Sequence, residues 1–338
     1  MILTRMMPKQ QAEFDAEAIS LDPDVQNDVR ISSPFDLGDD DAYRRWRDAK
    51  LANFPSTAAD LVVEVADPAN LSDAEAEALA ARVRRAGMAL YKGPALKGDA
   101  MADVEASKDL VRALGARFGL THIDQNPYAD EDAITPLHVA AGEERKEAGR
   151  KMYIPYTSRP ISWHTDGYYN SPARRIRAMV LHCVRQAGGS GGENALFDPE
   201  IAYLLLRDSD PEALAALCRD GAMGIPGNDV DAEVDRGDMT GPVFSLNKAD
   251  GSLHMRYTAR KRNIQWADDD ATRRAVAFLE NLLSDGGEGE PYIFRHRMEA
   301  GEGLLCNNIL HTRTAFEDGA DDLGQRMMLR ARYLDRVG

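Results

Sequence analysis

Short apolar segments with strand character dominate the sequence from Trp163 to the C-terminus. Residues that favour turns, namely Gly, Pro, Asn and Asp, occur between them. Strands at this spacing predict an antiparallel sandwich or barrel with helices packed outside it. The expected fold class is therefore α+β, mainly β. The segments are Arg177–Val184, Pro242–Leu246, Leu253–Tyr257, Tyr292–Arg295, Gly303–Asn307 and Met327–Leu334.

Helical patterns precede or interrupt these strands. Ser72 and Glu75 form a capping box, apolar residues follow at helical spacing, and Gly87 ends the helix. Short strands are expected on either side of this helix, at 61–65 and 88–91. Further helices are predicted at 102–117, 199–207, 211–219 and 271–284.

The N-terminal residues 1–55 are polar and irregular, which predicts an arm rather than a domain. The remainder, 56–338, shows neither an internal repeat nor a clear linker, and its length suits one large domain. Residues 120–162 lack periodicity and are rich in Asp, Glu, Pro and Tyr. Segments of this kind are usually functional or disordered, and we expect a lid-like insertion or a pocket wall.

The charge balance restricts the class of binding partner. There are 56 acidic side chains against 41 lysines and arginines, which gives a net charge of −15. This excess disfavours binding to nucleic acid or to an anionic membrane surface, since both need basic patches. No apolar run approaches the roughly 20 residues of a membrane helix. A small-molecule substrate is therefore expected, and the three scattered cysteines are typical of a reducing, cytoplasmic location.

The densest chemical signal is the segment from Ser162 to Tyr168, which contains His164 and Asp166. In an extended strand, residues two apart point to the same face, so an imidazole and a carboxylate can converge there. The same pattern occurs at His122 and Asp124, in a polar stretch where a rigid strand is less expected. Taken alone, either pair also fits a solvated turn, and the local context favours His164 over His122.

A second histidine, His311, follows a strongly apolar strand. Two histidines and one carboxylate form the facial triad of non-haem iron(II) oxygenases, which leaves positions open for a co-substrate and dioxygen. The last strand adds Arg326 and Arg330, which share a face opposite to the apolar Leu329. Guanidinium groups bind carboxylates in bidentate fashion. A solvent-exposed basic face is the alternative, especially for Arg332.

Together these motifs resemble the taurine dioxygenase-like (TauD/TfdA) family of iron(II)- and 2-oxoglutarate-dependent oxygenases, from about Leu61 to Leu334. The resemblance implies a distorted double-stranded β-helix, or jelly roll, with flanking helices. In the family a Gly-Gly turn closely follows the first His-x-Asp, which again selects residue 164 over residue 122. The matching elements are Trp163-His164-x-Asp166, the Gly-Gly-Glu-Asn turn that ends at Asn194, the distal His311 and Arg326-x-x-x-Arg330.

The resemblance also implies roles for individual residues. His164, Asp166 and His311 would be the Fe(II) ligands and the catalytic residues. Arg326 would bind the distal carboxylate of 2-oxoglutarate, near Asn194, which stands where the family often has a threonine. 2-Oxoglutarate and dioxygen are then co-substrates, and succinate and CO2 are released.

Four residues are candidates for substrate binding: Arg330, Arg313, Tyr168 and Arg256. Arg330 and Arg313 favour an anionic group, whereas the tyrosines around Tyr168 permit a cationic one. Arg256 lies in a basic stretch that equally fits a solvated strand end, and Arg330 equally fits support of the 2-oxoglutarate salt bridge. An amino acid, carboxylate or sulfonate is the expected substrate. Relatives commonly form dimers or tetramers, so a homo-oligomer is compatible with the resemblance.

Two other classes of function stay open. A zinc-dependent hydrolase built on the same three ligands needs a general base, and the sequence has no His-Glu-x-x-His motif. A non-catalytic jelly-roll binding protein would bind 2-oxoglutarate without turnover.

Overall fold

The computed structural model describes residues 33–95, 100–125, 130, 132–139, 154–227, 237–260, 262, 264–320 and 324–338, without the side chains of 100–103. Within these ranges the α-helices are α1 (Asp40–Asn53), α2 (Asp73–Ala86), α3 (Ala100–Arg117), α4 (Pro199–Ser209), α5 (Pro211–Leu217) and α6 (Asp270–Leu282). The strands are β1 (Val62–Glu64), β2 (Met88–Lys92), β3 (Thr135–Leu137), β4 (Ile161–His164), β5 (Ala178–Arg185), β6 (Asn194–Phe197), β7 (Met223–Ile225), β8 (Met239–Gly241), β9 (Phe244–Leu246), β10 (Leu253–Met255), β11 (Gln265–Trp266), β12 (Phe294–His296), β13 (Glu302–Cys306), β14 (Leu310–Arg313) and β15 (Met327–Tyr333). None of the helices found in the described residues has the length and apolar character needed to cross a membrane.

Two sheets form the frame of the fold. The larger has the strand order β1-β2-β13-β5-β15-β3, in which β1 and β2 run parallel and the other neighbours antiparallel. The second is antiparallel, with the order β12-β6-β14-β4. Two small sheets, β11-β7-β8 and β10-β9, complete the set. Because neighbours in the second sheet are far apart in sequence, segments near residues 164, 195 and 311 are brought side by side.

Side-chain alternation along β5 separates two hydrophobic clusters. Ala178 and Val180 pack with residues of α2 and α3, whereas Met179, Leu181 and Cys183 face the other way and pack with residues of β6 and β12. The larger sheet therefore carries helices on one face and the second sheet on the other. This mixed α+β architecture agrees with the predicted fold class at the level of helices and sheets.

Helix α2 shows how local sequence sets an element's ends. The Ser72 hydroxyl accepts a hydrogen bond from the Glu75 backbone N–H at 3.3 Å, and the Glu75 carboxylate accepts one from the Ser72 N–H at 2.8 Å. Gly87 ends the helix with φ of 71°, a left-handed conformation that favours glycine. The chain then enters β2 directly. The predicted capping box and stop signal therefore both operate in the folded protein.

The prediction of an irregular arm up to residue 55 is wrong for its described part. Residues 40–53 form α1, and Tyr43 is only 5% exposed. The guanidinium of Arg207 lies 4.0 Å from the centroid of the Tyr43 ring. By its contacts the compact unit runs from Ser32 to Gly338, so it begins before the predicted boundary. A few aromatic side chains pack this segment against the rest of the protein, and they do not stand out in its polar sequence.

The region 120–162 contains more regular structure than its lack of periodicity predicts. Strand β3 pairs with β15 at the edge of the larger sheet, and β4 pairs with β14 in the second sheet. Ile134, just before β3, is fully buried. Residues 126–129, 131 and 140–153 lie outside the described residues, so the lid stays a prediction there.

Candidate metal centre

Strand register places two histidines opposite each other. His164 on β4 pairs directly with His311 on β14 in the antiparallel second sheet. Directly opposed residues present their side chains on the same face of a sheet. The two imidazole rings consequently lie with their centroids 4.3 Å apart. A contact between residues 147 positions apart (311 − 164) is thus a product of the fold.

Asp166 joins them from the turn that follows β4. One ligand atom from each of His164, Asp166 and His311 lies within 4.8 Å of the others, the only such group found among the described residues. The turn continues through Gly167, whose φ is 65°. A Cβ at this glycine would lie 2.5 Å from Cγ1 of Ile176, so the turn excludes larger residues here.

The hydrogen bonds around these side chains leave metal-binding atoms free. Nδ1 of His164 lies 2.9 Å from the Ser162 carbonyl oxygen, and Nδ1 of His311 lies 3.1 Å from that of Ile309. Since a carbonyl only accepts, each Nδ1 carries the proton and each Nε2 keeps its lone pair. Such backbone contacts are the usual way in which metal-ligating histidines are oriented.

The Asp166 carboxylate is only half satisfied by the protein. Its Oδ1 accepts a hydrogen bond from Nη1 of Arg330 at 3.2 Å, whereas its buried Oδ2 has no hydrogen-bond partner among the described residues. An unsatisfied buried carboxylate oxygen is costly, and a cation would remove the cost. The donor set of two imidazole nitrogens and this oxygen therefore fits a divalent iron ion.

Burial and neighbouring charges set the protonation states. Burial lowers the pKa of His164 to about 3 and also lowers the pKa of His311. Burial by itself would raise the pKa of Asp166, but the charges of Arg330 and Arg332 hold it well below its usual range. Neutral imidazoles and an ionised carboxylate are the forms that bind metals.

A pocket enclosing about 450 Å³ of empty space, partly open to solvent, contains both histidines. Arg326 and Arg330 line this pocket together. The sequence motifs do not identify its apolar lining, although the alternation along β5 is a signal for two members, Met179 and Leu181. The lining residues are Leu137, Pro155, Ile161, His164, Met179, Leu181, Asn194, His311, Thr312, Arg313, Arg326 and Arg330.

Arg326 is a buried cation that no described side chain neutralises directly. It is 6% exposed, and burial lowers its pKa. Its guanidinium lies 5.2 Å from the centroid of the Phe316 ring. Among the described residues no carboxylate forms an ion pair with it, and its backbone N–H donates to Asp318 at 2.8 Å. A guanidinium in this state is suited to a carboxylate of a bound ligand.

Two further predicted residues line the pocket while making bonds to the protein. The side-chain amide of Asn194 donates to the Thr312 carbonyl at 2.8 Å. Arg313 donates to the carbonyls of Thr157, at 2.6 Å, and of Arg159. These bonds fasten the segment that leads into β4. Only the buried Nε of Arg313 lacks a hydrogen-bond partner among the described residues.

The structure does not bring Arg256 or Tyr168 into this pocket lining, and the interpretation of Arg256 as a substrate contact needs correction. Arg256 is 8% exposed, and its guanidinium donates to backbone carbonyls that include that of Gly241 at 2.8 Å. Its guanidinium therefore fastens the backbone of β7 and β8. Tyr168 packs against a third hydrophobic cluster, which includes Tyr203 and Phe244, and its ring centroid lies 5.1 Å from that of Tyr169.

The second His-x-Asp sequence has a different function in the fold. His122 is exposed and lies 2.8 Å from a carboxylate oxygen of Asp335. Asp124 is buried, accepts a hydrogen bond from Arg332 at 2.6 Å, and also pairs with Arg174. The alternative that placed Arg332 on a solvent-exposed face is therefore wrong, because its side chain is 3% exposed. The alternation of side chains along the last strand does not predict exposure here, because both faces of that strand are covered.

This network gives a stability prediction. Asp124→Ala removes the buried partner of Arg332, so we expect the free energy of unfolding to fall by about 3–5 kcal/mol. His122→Ala removes an exposed pair, with an expected loss below about 1 kcal/mol. Urea denaturation of both variants measures the difference. Equal losses would contradict a structural role for Asp124.

Comparison with known proteins adds an independent observation. The family described as "Taurine catabolism dioxygenase TauD, TfdA family" matches residues 48–332. The chain belongs to this family. The resemblance seen in the sequence is thereby confirmed over most of the chain.

Two curated relatives of this TauD/TfdA family member are uridine-5'-phosphate dioxygenases. One, from an Amycolatopsis species, is 33% identical over 183 residues, which cover 51% of this chain and 60% of the relative. The other, from a Streptomyces species, is 30% identical over 215 residues, which cover 60% and 70% respectively. The match to the first relative thus spans less than two thirds of its length.

Solved structures show the same fold at low sequence identity. PvcB from Pseudomonas aeruginosa has a TM-score of 0.51 at 18% identity, over 83% of this chain and 87% of its own. The oxygenase OrfP, in complex with Fe and alpha-ketoglutaric acid, has a TM-score of 0.54 at 16% identity, over 79% and 81%. An asparagine oxygenase bound to Fe(II) has a TM-score of 0.52 at 15% identity, over 90% and 86%.

Proposed function

We propose that this protein is an Fe(II)/2-oxoglutarate-dependent dioxygenase that oxidises a C–H bond of a small anionic metabolite. The observation that carries the proposal is the half-satisfied Asp166 carboxylate beside two oriented, neutral histidines, His164 and His311. Family membership and the iron- and alpha-ketoglutarate-bound neighbours support it. We also propose that the two large sheets form the distorted double-stranded β-helix of the family.

Each side chain of the site has a separate role in this proposal. His164, Asp166 and His311 hold the iron. The bound iron supplies redox chemistry in which 2-oxoglutarate loses CO2 to become succinate, one oxygen atom of O2 entering succinate and the other the substrate. Arg326 binds the distal carboxylate of 2-oxoglutarate, and Asn194 lies beside it in the pocket wall. The apolar part of the wall excludes water and holds the reacting C–H bond in place.

The charges of the pocket favour an anionic substrate. Three guanidinium groups line it, and no carboxylate is found among its described lining residues, so Asp166 of the metal cluster is the opposing charge. With 2-oxoglutarate at Arg326 and Arg313 bonded to carbonyls, Arg330 is the third guanidinium. Its Nη1 pairs with Asp166, and its buried Nε lacks a hydrogen-bond partner among the described residues. We propose that Arg330 faces the anionic group. A nucleoside phosphate, suggested by the relatives' names, is the first candidate, ahead of amino, carboxylic and sulfonic acids.

A cytoplasmic location, a homodimer or homotetramer, and a lid within residues 120–162 complete the proposal. Each rests on the sequence-based expectation alone. Size-exclusion chromatography with light scattering measures the oligomeric state.

A zinc hydrolase on the same ligands is the weaker candidate. It needs a general base near a metal-bound water. The described lining of the pocket contains no carboxylate for this task, and the nearby Asp166 is itself placed as a ligand. Metal analysis of protein purified with iron and zinc both present tests the choice of metal.

The proposed function is tested by succinate release. Purified protein is incubated with Fe(II), 2-oxoglutarate, ascorbate and one compound at a time from a panel that begins with uridine 5'-phosphate and includes amino, carboxylic and sulfonic acids. We expect substrate-dependent succinate formation that stops when iron or dioxygen is removed. Binding of 2-oxoglutarate without turnover across the panel would favour a non-catalytic binding protein, and zinc-dependent product formation would favour a hydrolase.

A further inference from the structure

The three proposed ligands are not positioned in the same way. His164 and His311 lie on paired strands, so the backbone ladder sets their separation. Asp166 lies two residues beyond the end of β4, in the turn at Gly167. A carboxylate on a turn needs another constraint if it is to stay aimed at the same point as the two imidazoles.

Asn308 supplies contacts to the backbone of this turn. Its Oδ1 accepts a hydrogen bond from the Asp166 N–H at 2.8 Å, and its Nδ2 donates to the Asp166 carbonyl at 3.0 Å. Nδ2 also donates to the carbonyl of Ile176 at 2.7 Å. The side chain therefore binds both sides of the Asp166 residue and the start of the segment that enters β5.

The burial and backbone conformation of Asn308 restrict which residue types can make these hydrogen bonds. The residue is 4% exposed, and its φ is 50°, an uncommon conformation for a residue other than glycine. Asparagine is among the residues that adopt it most readily. A primary amide also combines an acceptor with two donors, which the three bonds require. Because Asn308 lies three residues before His311, it joins the turn of one ligand to the strand of another.

We propose that Asn308 is a positioning residue that holds the Asp166 carboxylate in metal-binding geometry. This inference rests on the proposed function, since it takes the three residues as metal ligands. Asn308 acts through the backbone of Asp166. Its loss is therefore expected to weaken metal binding even in a protein that folds.

The adjacent residue provides a matched control. Asn307 makes a similar pair of amide bonds, donating to the Val337 carbonyl at 3.0 Å and accepting from the Val337 N–H at 3.0 Å. It ties down the C-terminal segment, and none of its hydrogen bonds reaches Asp166. Replacing either asparagine removes a side-chain amide from the same loop, buried at Asn308 and partly buried at Asn307, but only the change at Asn308 affects the ligand turn.

The experiment measures the dissociation constant of Mn(II), as an oxygen-stable probe, for the full chain by electron paramagnetic resonance. Asn308→Ala and Asn308→Gly are expected to bind Mn(II) about 10–100-fold more weakly than the unchanged protein. A loss of this size is usual when a hydrogen bond that orients a metal ligand is removed. Asn307→Ala and Asn307→Gly are expected to bind with unchanged affinity. Glycine tolerates the positive φ, so Asn308→Gly keeps the test open if the alanine variant does not fold.

Thermal unfolding of the metal-free proteins measures the structural cost of each change separately. Wild-type affinity in folded Asn308 variants, or an equal loss in the Asn307 variants, overturns the positioning role while the proposed function stands. If the unchanged protein binds no Mn(II), both the positioning role and the metal site are refuted.

Discussion

His164→Ala is expected to abolish iron-dependent succinate formation, and His311→Ala to do the same. Each change removes one of three ligands from a site in which the described residues offer no fourth His, Cys, Asp or Glu. Loss of a hydrogen-bond partner of a metal ligand typically weakens metal binding by about 10–100-fold. Removal of a ligand itself should therefore weaken metal binding by more than about 100-fold. Mn(II) affinity and succinate release, measured on the same preparations, check both parts of the expectation.

His122→Ala is the matched control for these variants. It removes the histidine of the second His-x-Asp sequence, whose side chain is 74% exposed and pairs with Asp335. Metal affinity and turnover should stay within about twofold of the unchanged protein, because exposed pairs contribute little. Unchanged turnover in His164→Ala, or equal losses in all three variants, would falsify the assignment of the metal ligands.

Arg326→Ala is expected to lower kcat/KM for 2-oxoglutarate by roughly 30-fold to several thousand-fold. The guanidinium is buried and lacks a described carboxylate partner, so in the proposed complex the co-substrate supplies the opposing charge. Truncating one member of a buried charge pair costs about 2–5 kcal/mol. Steady-state kinetics with varied 2-oxoglutarate measures the effect.

Two comparisons separate co-substrate binding from other causes. Arg326→Lys keeps the charge but loses bidentate geometry, so we expect an intermediate loss. Arg295→Ala removes a cation whose side chain is 37% exposed and pairs with Glu290, and should leave the kinetics within about twofold. Mn(II) affinity should be unchanged in both Arg326 variants. A large loss of Mn(II) binding in Arg326→Ala, with no change in the KM for 2-oxoglutarate, is the result that contradicts the proposed role.

Much of the local structure follows from short-range patterns. The capping box at Ser72 and the glycine at residue 87 predict both ends of α2, because hydrogen bonds within one turn determine where a helix begins and ends. Short apolar runs bounded by turn residues predict β5 and β15, and along β15 side chains two apart share a face. The same geometry predicts that His164 and Asp166 converge and that Arg326 and Arg330 share a face, but Asp166 lies in the turn after β4 and Arg326 precedes β15.

The identity of each partner, in contrast, depends on contacts between segments far apart in the chain. His122-x-Asp124 and His164-x-Asp166 share one short pattern, yet Asp124 meets two arginines and only His164 lies opposite His311. Arg256 and Arg326 are both buried arginines. One donates to backbone carbonyls, and the other has none of its guanidinium donors bonded to a described residue. Local pattern determines which way a side chain points, but strand register and loop packing determine what it meets, and a charged group acts according to the groups it meets.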